Sequence, residues 1–426
     1  MNHFLLPLVS VGAAGTLAVF GIPIEFIIFG LILVGVAVFH RRTFEVAVTG
    51  LAILLAYKLG FTGFALIHHL HNEWRLLLNL FGLLMGFAIL ARHFEQSRIP
   101  DVLPHWLPND WKGGFVLLAI VFGLAIFIDN IAAAMLGGAI ALSVYRGKIH
   151  IGFIAAIAAA ANAGGAFSVI GSTPTSMMWI DGVAARDVLP AALGSTVGLL
   201  IFGVAASWQQ QRYQPISRDA NPRIPIDWGR FAIVALIPAL AVVTNITMGM
   251  MALGVWAAIL IGSTFRKTDW SELRRSLKGS LFLVALVLSA SLMPVDKLPP
   301  ATWHSTLLIG VLSAVFANIP LTKLALDQGG YDWAFAAYAI SCGGSMIWFG
   351  SSAGVALCNM FPEARDVVQW TRRGWHVTAG YLAGFFVMLL VLGWHPHARH
   401  KPIGGAHELQ ISPPPAEKLI QEKLAH

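Results

Sequence analysis

Apolar runs long enough to cross a lipid bilayer recur along almost the whole chain, and they limit the fold more than any other feature. Within a bilayer only helices and closed barrels satisfy every backbone N–H and C=O group, and a spanning helix needs about 20 apolar residues. Since 57% of the residues are hydrophobic and 12% are charged, the sequence predicts an all-α polytopic membrane protein. No small-residue cleavage pattern follows the first run, so we expect a retained helix there and not a signal peptide. The runs cover residues 4–21, 24–39, 44–66, 76–91, 191–208, 231–248, 252–265, 280–293 and 375–394.

Basic residues between the apolar runs predict the orientation of the chain. Positively charged loops stay in the cytoplasm, and one topology places all of them there except those of the tail. It has a cytoplasmic N-terminus, about eleven membrane-spanning helices and two re-entrant helical hairpins, at about 113–145 and 303–326. The polar tail, 395–426, then lies on the outer, periplasmic side of a cell inner membrane. The net charge of +7 is a property of these loops, so the expected partner is a lipid bilayer and not nucleic acid.

Two pairs of polar, glycine-rich interruptions resemble each other in the two halves of the chain. An odd number of crossings between them makes the second half inverted, and paired interruptions of this kind point to a transporter's binding site near the mid-membrane. They predict broken helices at about 150–181 and 331–360. The pairs are FIDNI at 127–131 with FANIP at 316–320, and NAGG and GSTPT within 162–175 with SCGG and GSS within 341–352.

The same pairing predicts the domain organisation. A first repeat with an extra N-terminal helix occupies 1–208, and an inverted second repeat occupies 230–394. The central stretch between them, 209–229, is rich in proline and charge and reads as a cytoplasmic linker. Each repeat would contain helices, a hairpin, a broken helix and a final helix.

Asp129 lies in the middle of an apolar segment, far from any loop. A carboxylate at mid-membrane costs about 2.5–3.5 kcal/mol to insert, and such residues usually face a cavity or a partner. One interpretation is a site for a proton or a cation such as Na⁺. The other is a structural carboxylate that caps the hairpin tip by accepting hydrogen bonds from free backbone N–H groups. A residue at the tip can fill both roles.

Asparagines and hydroxyl side chains cluster at the interruptions. Asn130 and Asn318 occupy matched positions in the two hairpins, where each is either a turn residue or part of a site. The glycine pairs either pack helices closely or loosen them before the breaks. Unwound backbone carbonyls and neutral side-chain oxygens suit monovalent cations, whereas helix N-termini at the breaks favour anions. The polar residues that we select as candidates for such a site are Asn130, Asn162, Ser172, Thr173, Thr175, Asn318, Ser351 and Ser352.

Lys323 follows Asn318 by five residues in the second hairpin. It is interpreted either as a snorkelling lysine that reaches the outer membrane interface or as a fixed positive charge in the cavity. In the second case it would pair with Asp129 or bind an anion.

The chain has no motif of an enzyme. No Walker A loop, Rossmann fingerprint, HExxH or G-x-S-x-G sequence is present, so we expect neither catalysis nor a cofactor. Without a nucleotide site, coupling to Na⁺ or H⁺ is the expected energy source.

The segment NAGGAFSVIGSTPTSMMW at 162–179 resembles the signature of NhaD-type sodium/proton antiporters, which belong to the ion transporter superfamily with citrate, arsenite and dicarboxylate carriers. CGGSMIWFGSSAGVA at 342–356 and IDNI at 128–131 also resemble that family. The resemblance implies an inverted-repeat fold, two re-entrant hairpins and a homodimer whose transport domains move against a scaffold. It implies an ion path lined by Asp129, Asn130, Asn162, Thr173, Thr175, Asn318, Ser351 and Ser352.

The sequence departs from the family pattern at two positions. The antiporters usually carry an aspartate where this chain has Ser172 and another where it has Ala317. Only Asp129 remains of that acidic set. Two transport hypotheses therefore stay open: elevator-like exchange of Na⁺ or Li⁺ for protons, and Na⁺- or H⁺-coupled transport of a small anion such as citrate. A third is a receptor or assembly subunit, without transport, built on a carrier fold.

Overall fold

The computed structural model describes residues 9–11, 17–19, 22–39, 42–102, 107–216 and 225–396, and most of them are helical. Five helical stretches are long and apolar enough to cross a membrane, and several shorter apolar helices accompany them. The protein is therefore a multi-pass membrane protein of the all-α class, as predicted, and the expected number of crossings stays a prediction. The centre of the linker, 217–224, and most of the polar tail, from 397 onward, lie outside the described residues.

Nineteen α-helices follow one another along the described chain. Two short 3-10 helices, Val295–Lys297 and Pro362–Arg365, connect some of them. The α-helices are α1 (Ile24–Val38), α2 (Thr43–Phe61), α3 (Leu66–Gln96), α4 (Ile99–Val102), α5 (Trp111–Leu124), α6 (Asn130–Val144), α7 (Ile151–Gly165), α8 (Thr173–Ile180), α9 (Ala185–Val188), α10 (Ala191–Tyr213), α11 (Trp228–Met248), α12 (Met251–Phe265), α13 (Ser271–Ser291), α14 (Trp303–Phe316), α15 (Asn318–Gln328), α16 (Trp333–Gly343), α17 (Ser352–Met360), α18 (Val367–Arg373) and α19 (Trp375–Leu392).

The N-terminal run predicted as a helix, 4–21, is strand wherever the structure describes it. Strands β1 (Val9–Val11), β2 (Leu17–Val19) and β3 (Ile22–Pro23) pair antiparallel in that order. The helix expectation is therefore wrong for these residues. Glycines are interspersed in this run and valines occupy the strands. Glycine weakens a helix and β-branched residues favour strands, so length and hydrophobicity alone misled the assignment.

Helix breaks occur at the predicted interruptions. Residues 125–129 separate α5 from α6, and Ala317 alone separates α14 from α15. Residues 166–172 separate α7 from α8, and residues 344–351 separate α16 from α17. The re-entrant insertion of the two hairpins stays a prediction.

The helices pack in two groups. The first helix group contains α1–α3 and α11–α13, and the second contains α5–α10 and α14–α19. The groups meet where α15 packs on α13, where α3 contacts α6 and α8, and where α1 contacts α14. The hairpin tips and the second break therefore lie beside the first group, which positions the site described next.

Candidate functional site

A cavity of about 490 Å³ lies between the two helix groups. The second group lines it with four of the polar residues selected from the sequence, Asp129, Asn318, Ser351 and Ser352. The first group contributes mostly apolar side chains of α1, α3 and α13. The structure thus brings together the tips of both hairpins and the break of the second interrupted helix.

The cavity lining extends to one end of the helices. Along α13 its lining runs from Glu272, in the first turn, to Leu286, which is roughly 21 Å at 1.5 Å per residue. Glu272 is part-exposed at 23%. Thr43, Ala91 and Asn359 line the cavity near the same helix ends. We call these four residues the mouth; Asp129, Asn318 and Ser351 lie at the deep end.

Asp129 is buried and 6% exposed. It is the N-cap of α6, and its Oδ2 accepts a hydrogen bond from the Ile131 N–H at 3.0 Å. Its other oxygen, Oδ1, is buried without a hydrogen-bond partner in the described part of the protein. The capping role considered from the sequence is therefore present. One carboxylate oxygen also stays available to a proton or a cation.

The tip of the second hairpin has a strained backbone. Ala317 adopts φ 53° and ψ 143°, a region that residues with a Cβ rarely occupy and that costs about 1–3 kcal/mol. This conformation turns the chain so that α15 begins directly at Asn318. The Asn318 side chain is buried, and its Nδ2 has no hydrogen-bond partner among the described residues. Such strain clusters at functional sites.

Ser351 is the N-cap of α17, which begins at the cavity. Its hydroxyl oxygen accepts a hydrogen bond from the Gly354 N–H at 3.2 Å, and α17 then runs toward Asn359 at the mouth. Ser352, the first residue of α17, also lines the cavity. Both hydroxyl groups therefore lie at the deep end, beside the hairpin tips.

Asn130 and Asn162 lie behind the cavity wall. Asn130 Nδ2 donates to Asn162 Oδ1 at 2.7 Å, and Asn162 Nδ2 donates to Ser345 Oγ at 2.8 Å. All three residues are buried. This chain of hydrogen bonds ties the first hairpin tip to both broken helices. The sequence analysis missed Ser345, although it directly follows the second glycine pair.

Replacing Asn162 with leucine is expected to lower the free energy of unfolding by about 1–3 kcal/mol, because it leaves buried polar groups of Asn130 and Ser345 without a partner. Thermal unfolding of the purified protein in detergent measures this effect. Asn72 is an exposed asparagine with one 3.4 Å hydrogen bond, so Asn72→Leu is the control and should leave the melting temperature unchanged. Equal melting temperatures for both variants would contradict the structural role of the chain.

The hydroxyl residues of the first break are bound elsewhere. Ser172 caps α8 and shares a 2.8 Å hydrogen bond with Thr175, whose Oγ1 donates to the Ser168 carbonyl at 2.6 Å. Thr173 is buried in the first turn of α8. None of these three is among the described residues that line the cavity. The two breaks therefore differ, since only the second one contributes hydroxyl groups to the cavity wall.

Lys323 fits neither interpretation made from the sequence. It is 2% exposed, so it does not snorkel to the membrane surface. It is also absent from the cavity lining that the structure describes, and it does not pair with Asp129. Its ammonium instead contacts Glu73 at 2.8 Å and Asp327 at 2.6 Å. Two nearby carboxylates therefore stabilise the buried charge, and neither of them was among the partners predicted from the sequence.

The described lining of the cavity carries two charged residues, Asp129 and Glu272, and both are acidic. No lysine, arginine or histidine is among the described residues that line it. Glu272 is paired with Arg275 at 3.1 Å. The sequence analysis did not identify Glu272, since a first-turn glutamate after a basic loop is a common surface feature. The electrostatics of this cavity favour a cation.

Several known proteins that are similar to this chain are named as sodium/proton antiporters. No protein-family model matches the chain. Sodium/proton antiporter 1 of Arabidopsis thaliana is 28% identical over 358 residues, which is 73% of this chain and 59% of that protein. Sodium/proton antiporter 2 of the same plant is 24% identical over 419 residues, 84% of this chain and 97% of that protein. The Na⁺/H⁺ antiporter NhaD of Alkalimonas amylolytica is 27% identical over 345 residues, 65% of this chain and 70% of that protein.

The chain spans less than two thirds of the length of the first of these relatives and most of the length of the other two. The resemblance to NhaD-type sodium/proton antiporters, predicted from the motifs at the helix breaks, is confirmed.

Proposed function

We propose that this chain, which is similar to NhaD-type sodium/proton antiporters, is a secondary active transporter that exchanges a monovalent cation, Na⁺ or Li⁺, for protons. The observation that carries the proposal is the charge of the cavity: a deep carboxylate, Asp129, and a second one, Glu272, near the mouth, with no described basic side chain in the lining. The names of the relatives support the same activity. The protein acts as a transporter and not as an enzyme, and we propose no cofactor besides the coupling ion.

Asp129 is the proposed exchange site. Its free Oδ1 binds either a proton or a cation, and the two exclude each other because they use the same lone pairs. The hydroxyl oxygens of Ser351 and Ser352 and the amide oxygen of Asn318 line the same cavity and complete the ligand set, since hard cations are satisfied by oxygen. Asn130 and Asn162 position the tip through their hydrogen bonds, and Ser172, Thr173 and Thr175 hold the first break.

Coupled transport of a small anion has lost one of its supports. A positive charge at Lys323 favoured that hypothesis, together with the two missing aspartates and the hydroxyl-rich breaks. Lys323 is instead bound to Glu73 and Asp327. The N-termini of α15 and α17 remain favourable to negative charge, but Asp129 already supplies a carboxylate there.

We further propose that the two halves are inverted repeats. Matched contacts support this: a Cβ added at Gly171 would collide with the carbonyl oxygen of Ala125, and one added at Gly350 would meet that of Ala314. Each glycine directly precedes a capping serine, and each partner lies near the end of the first hairpin helix in its own half. An elevator-like movement of the second helix group against the first would then carry the site across the membrane.

The remaining topology is also a proposal. The basic loops support a cytoplasmic N-terminus, an outer C-terminal tail and location in the cell inner membrane. In this orientation the mouth of the cavity faces the cytoplasm, because Glu272 follows the basic loop after α12. By the resemblance to the antiporters, the functional unit is a homodimer.

Vesicles with a preformed pH gradient test the function. In inverted membrane vesicles, adding Na⁺ or Li⁺ should collapse a respiration-generated pH gradient, whereas equal K⁺ or choline should not. A parallel uptake assay with labelled citrate and other small carboxylates should stay at background. Uptake of a carboxylate without any cation-induced collapse would overturn the proposal in favour of the anion carrier, and silence in both assays would favour a subunit without transport.

Competition between protons and cations predicts a pH dependence of exchange. Because one carboxylate binds both, the apparent KM for Na⁺ should rise as the pH falls, while the maximal rate at saturating Na⁺ changes less. Initial rates over a matrix of Na⁺ concentration and pH measure this. A KM for Na⁺ that stays constant as the pH is lowered would contradict a shared site.

A further inference from the structure

Two helical stripes lead from the cavity toward the helix ends opposite the mouth. On α3 the side chains at every third or fourth position continue from the cavity toward the helix end opposite the mouth, and positions spaced in this way share one face. On α15 the stripe repeats every fourth residue. The α3 stripe is Leu84, Leu80, Leu76 and Glu73, and the α15 stripe is Ile319, Lys323 and Asp327.

The side chains of the two stripes change from apolar to charged with increasing distance from the cavity. Leu84 and Ile319 line the cavity itself. Leu80 and Leu76 then belong to the same buried apolar cluster as Ile319. Beyond this apolar layer the contact becomes ionic, with Lys323 between Glu73 and Asp327. The ionic end lies roughly 16 Å from Leu84 along α3, since eleven residues of helix separate Leu84 from Glu73.

The ionic end joins the two helix groups. Glu73 belongs to α3 in the first group, whereas Lys323 and Asp327 belong to α15 in the second. Lys323 is 2% exposed, while the side chains of Glu73 and Asp327 are 17% and 20% exposed. The lysine is therefore enclosed within the contact, and the carboxylates lie at its more exposed edge. Asp181, at the end of α8, adds a further negative charge near Asp327.

A buried ammonium is stable only while its carboxylates remain in place, because an unpaired buried charge is strongly destabilising. If α15 separates from α3, water must enter to hydrate all three groups. The structure shows the closed, dry arrangement with the ion pairs made, and opening would replace these ion pairs with hydration by water. The ion pair of Lys58 with Glu25, at 3.6 Å, joins α2 to α1 inside the first group, so it has no such consequence.

We propose that Glu73, Lys323 and Asp327 form a gate that closes the cavity on the side opposite its mouth and that opens during each exchange cycle. Because the gate would control the transport path, this proposal rests on the proposed function. Opening of the gate can nevertheless be observed without knowing the substrate, since it gives water-soluble reagents access to the cavity from the gated side. Such access is measurable whether or not the cation is correctly identified.

Cysteine labelling from each membrane face tests the gate. The reporter is Leu84→Cys in a background with Cys342→Ala and Cys358→Ala, and the reagent is a membrane-impermeant maleimide applied to one face at a time. The reporter should react faster from the mouth face than from the opposite face, where it is reached only while the gate is open. Adding Lys323→Met leaves two carboxylates repelling each other and should raise labelling from the opposite face by about tenfold or more.

Two control variants accompany this experiment. Lys323→Arg retains the charge and should label like the parent, and Lys58→Met removes the ion pair that does not cross between the groups and should also label like the parent. Unchanged opposite-face labelling in a folded Lys323→Met protein would overturn the gate, as would equal opening by Lys58→Met.

Cross-linking provides a second test, in which the readout is exchange and not labelling. In the same cysteine-free background, Glu73→Cys with Lys323→Cys is bridged by a short, cleavable bifunctional thiol reagent. Exchange by the double variant should fall to the level of empty vesicles when it is bridged and return when the bridge is cleaved, whereas each single-cysteine variant should keep the exchange that it shows without the reagent. Continued exchange in fully bridged protein would exclude an opening gate. Absence of exchange in the untreated parent protein would instead count against the proposed function and leave the labelling result to decide the gate.

Discussion

Asp129→Asn is expected to reduce cation-induced collapse of the pH gradient to the level of empty vesicles. The asparagine amide cannot bind or release a proton near neutral pH. It also offers no negative charge to a cation, and the rest of the described cavity lining is mostly apolar. The fold should survive, because asparagine caps a helix N-terminus about as well as aspartate. The cap of α6 therefore keeps its hydrogen bond to the Ile131 N–H, and the melting temperature should match or exceed that of the parent. Vesicle exchange and thermal unfolding measured on the same preparations separate the two effects.

Glu272→Gln is the matched control for this loss. Glu272 lines the same cavity but lies at the mouth, part-exposed and paired with Arg275. Its neutralisation should slow cation entry and leave exchange measurable at high Na⁺. Wild-type exchange by Asp129→Asn would remove the central premise of the mechanism, and complete loss in Glu272→Gln would move the exchange site toward the mouth.

Gly171→Ala is expected to have the largest effect on folding. The added Cβ would collide with the Ala125 carbonyl oxygen, which is a backbone atom at the end of α5 and cannot rotate away. Overpacking of this kind costs about 3 kcal/mol at its upper range. Gly171 directly precedes the cap of α8, so the same displacement should disturb the first break and lower exchange. Thermal unfolding in detergent and the yield of monodisperse protein measure the loss.

Gly123→Ala is the matched control in the neighbouring helix. No atom lies within 4 Å of a Cβ added there, and alanine is favoured over glycine in a helix by about 1 kcal/mol. Its melting temperature should be unchanged or higher. Gly350→Ala, at the equivalent position of the second half, should behave like Gly171→Ala, since its added Cβ meets the Ala314 carbonyl oxygen. If Gly350→Ala behaved like Gly123→Ala, the matched contacts would lose their support for an internal repeat.

Much of the local architecture is readable from the sequence because its causes are local. The breaks after Gly165 and Gly343 and the serine caps at Ser172 and Ser351 follow from the residue types at those positions. The cap at Asp129 follows likewise, since its partner N–H lies two residues away. The helix prediction for the N-terminal run is wrong for a related local reason. Glycine and β-branched residues lower helix propensity there, although the run is long and hydrophobic enough to span a membrane.

The sequence alone thus determined the membrane class, the interrupted helices and the polar residues at each interruption, because propensity, capping and hydrophobicity act within a few residues. Only the tertiary structure decided which of those residues share a cavity and which charges meet. It separated Ser172 and Thr175 from the cavity that holds Ser351 and Ser352, and it paired Lys323 with Glu73, 250 residues away along the chain. Hydrogen bonds and ion pairs form only between groups a few ångströms apart. Which distant residues come that close depends on how whole helices pack, so the tertiary structure decides these contacts.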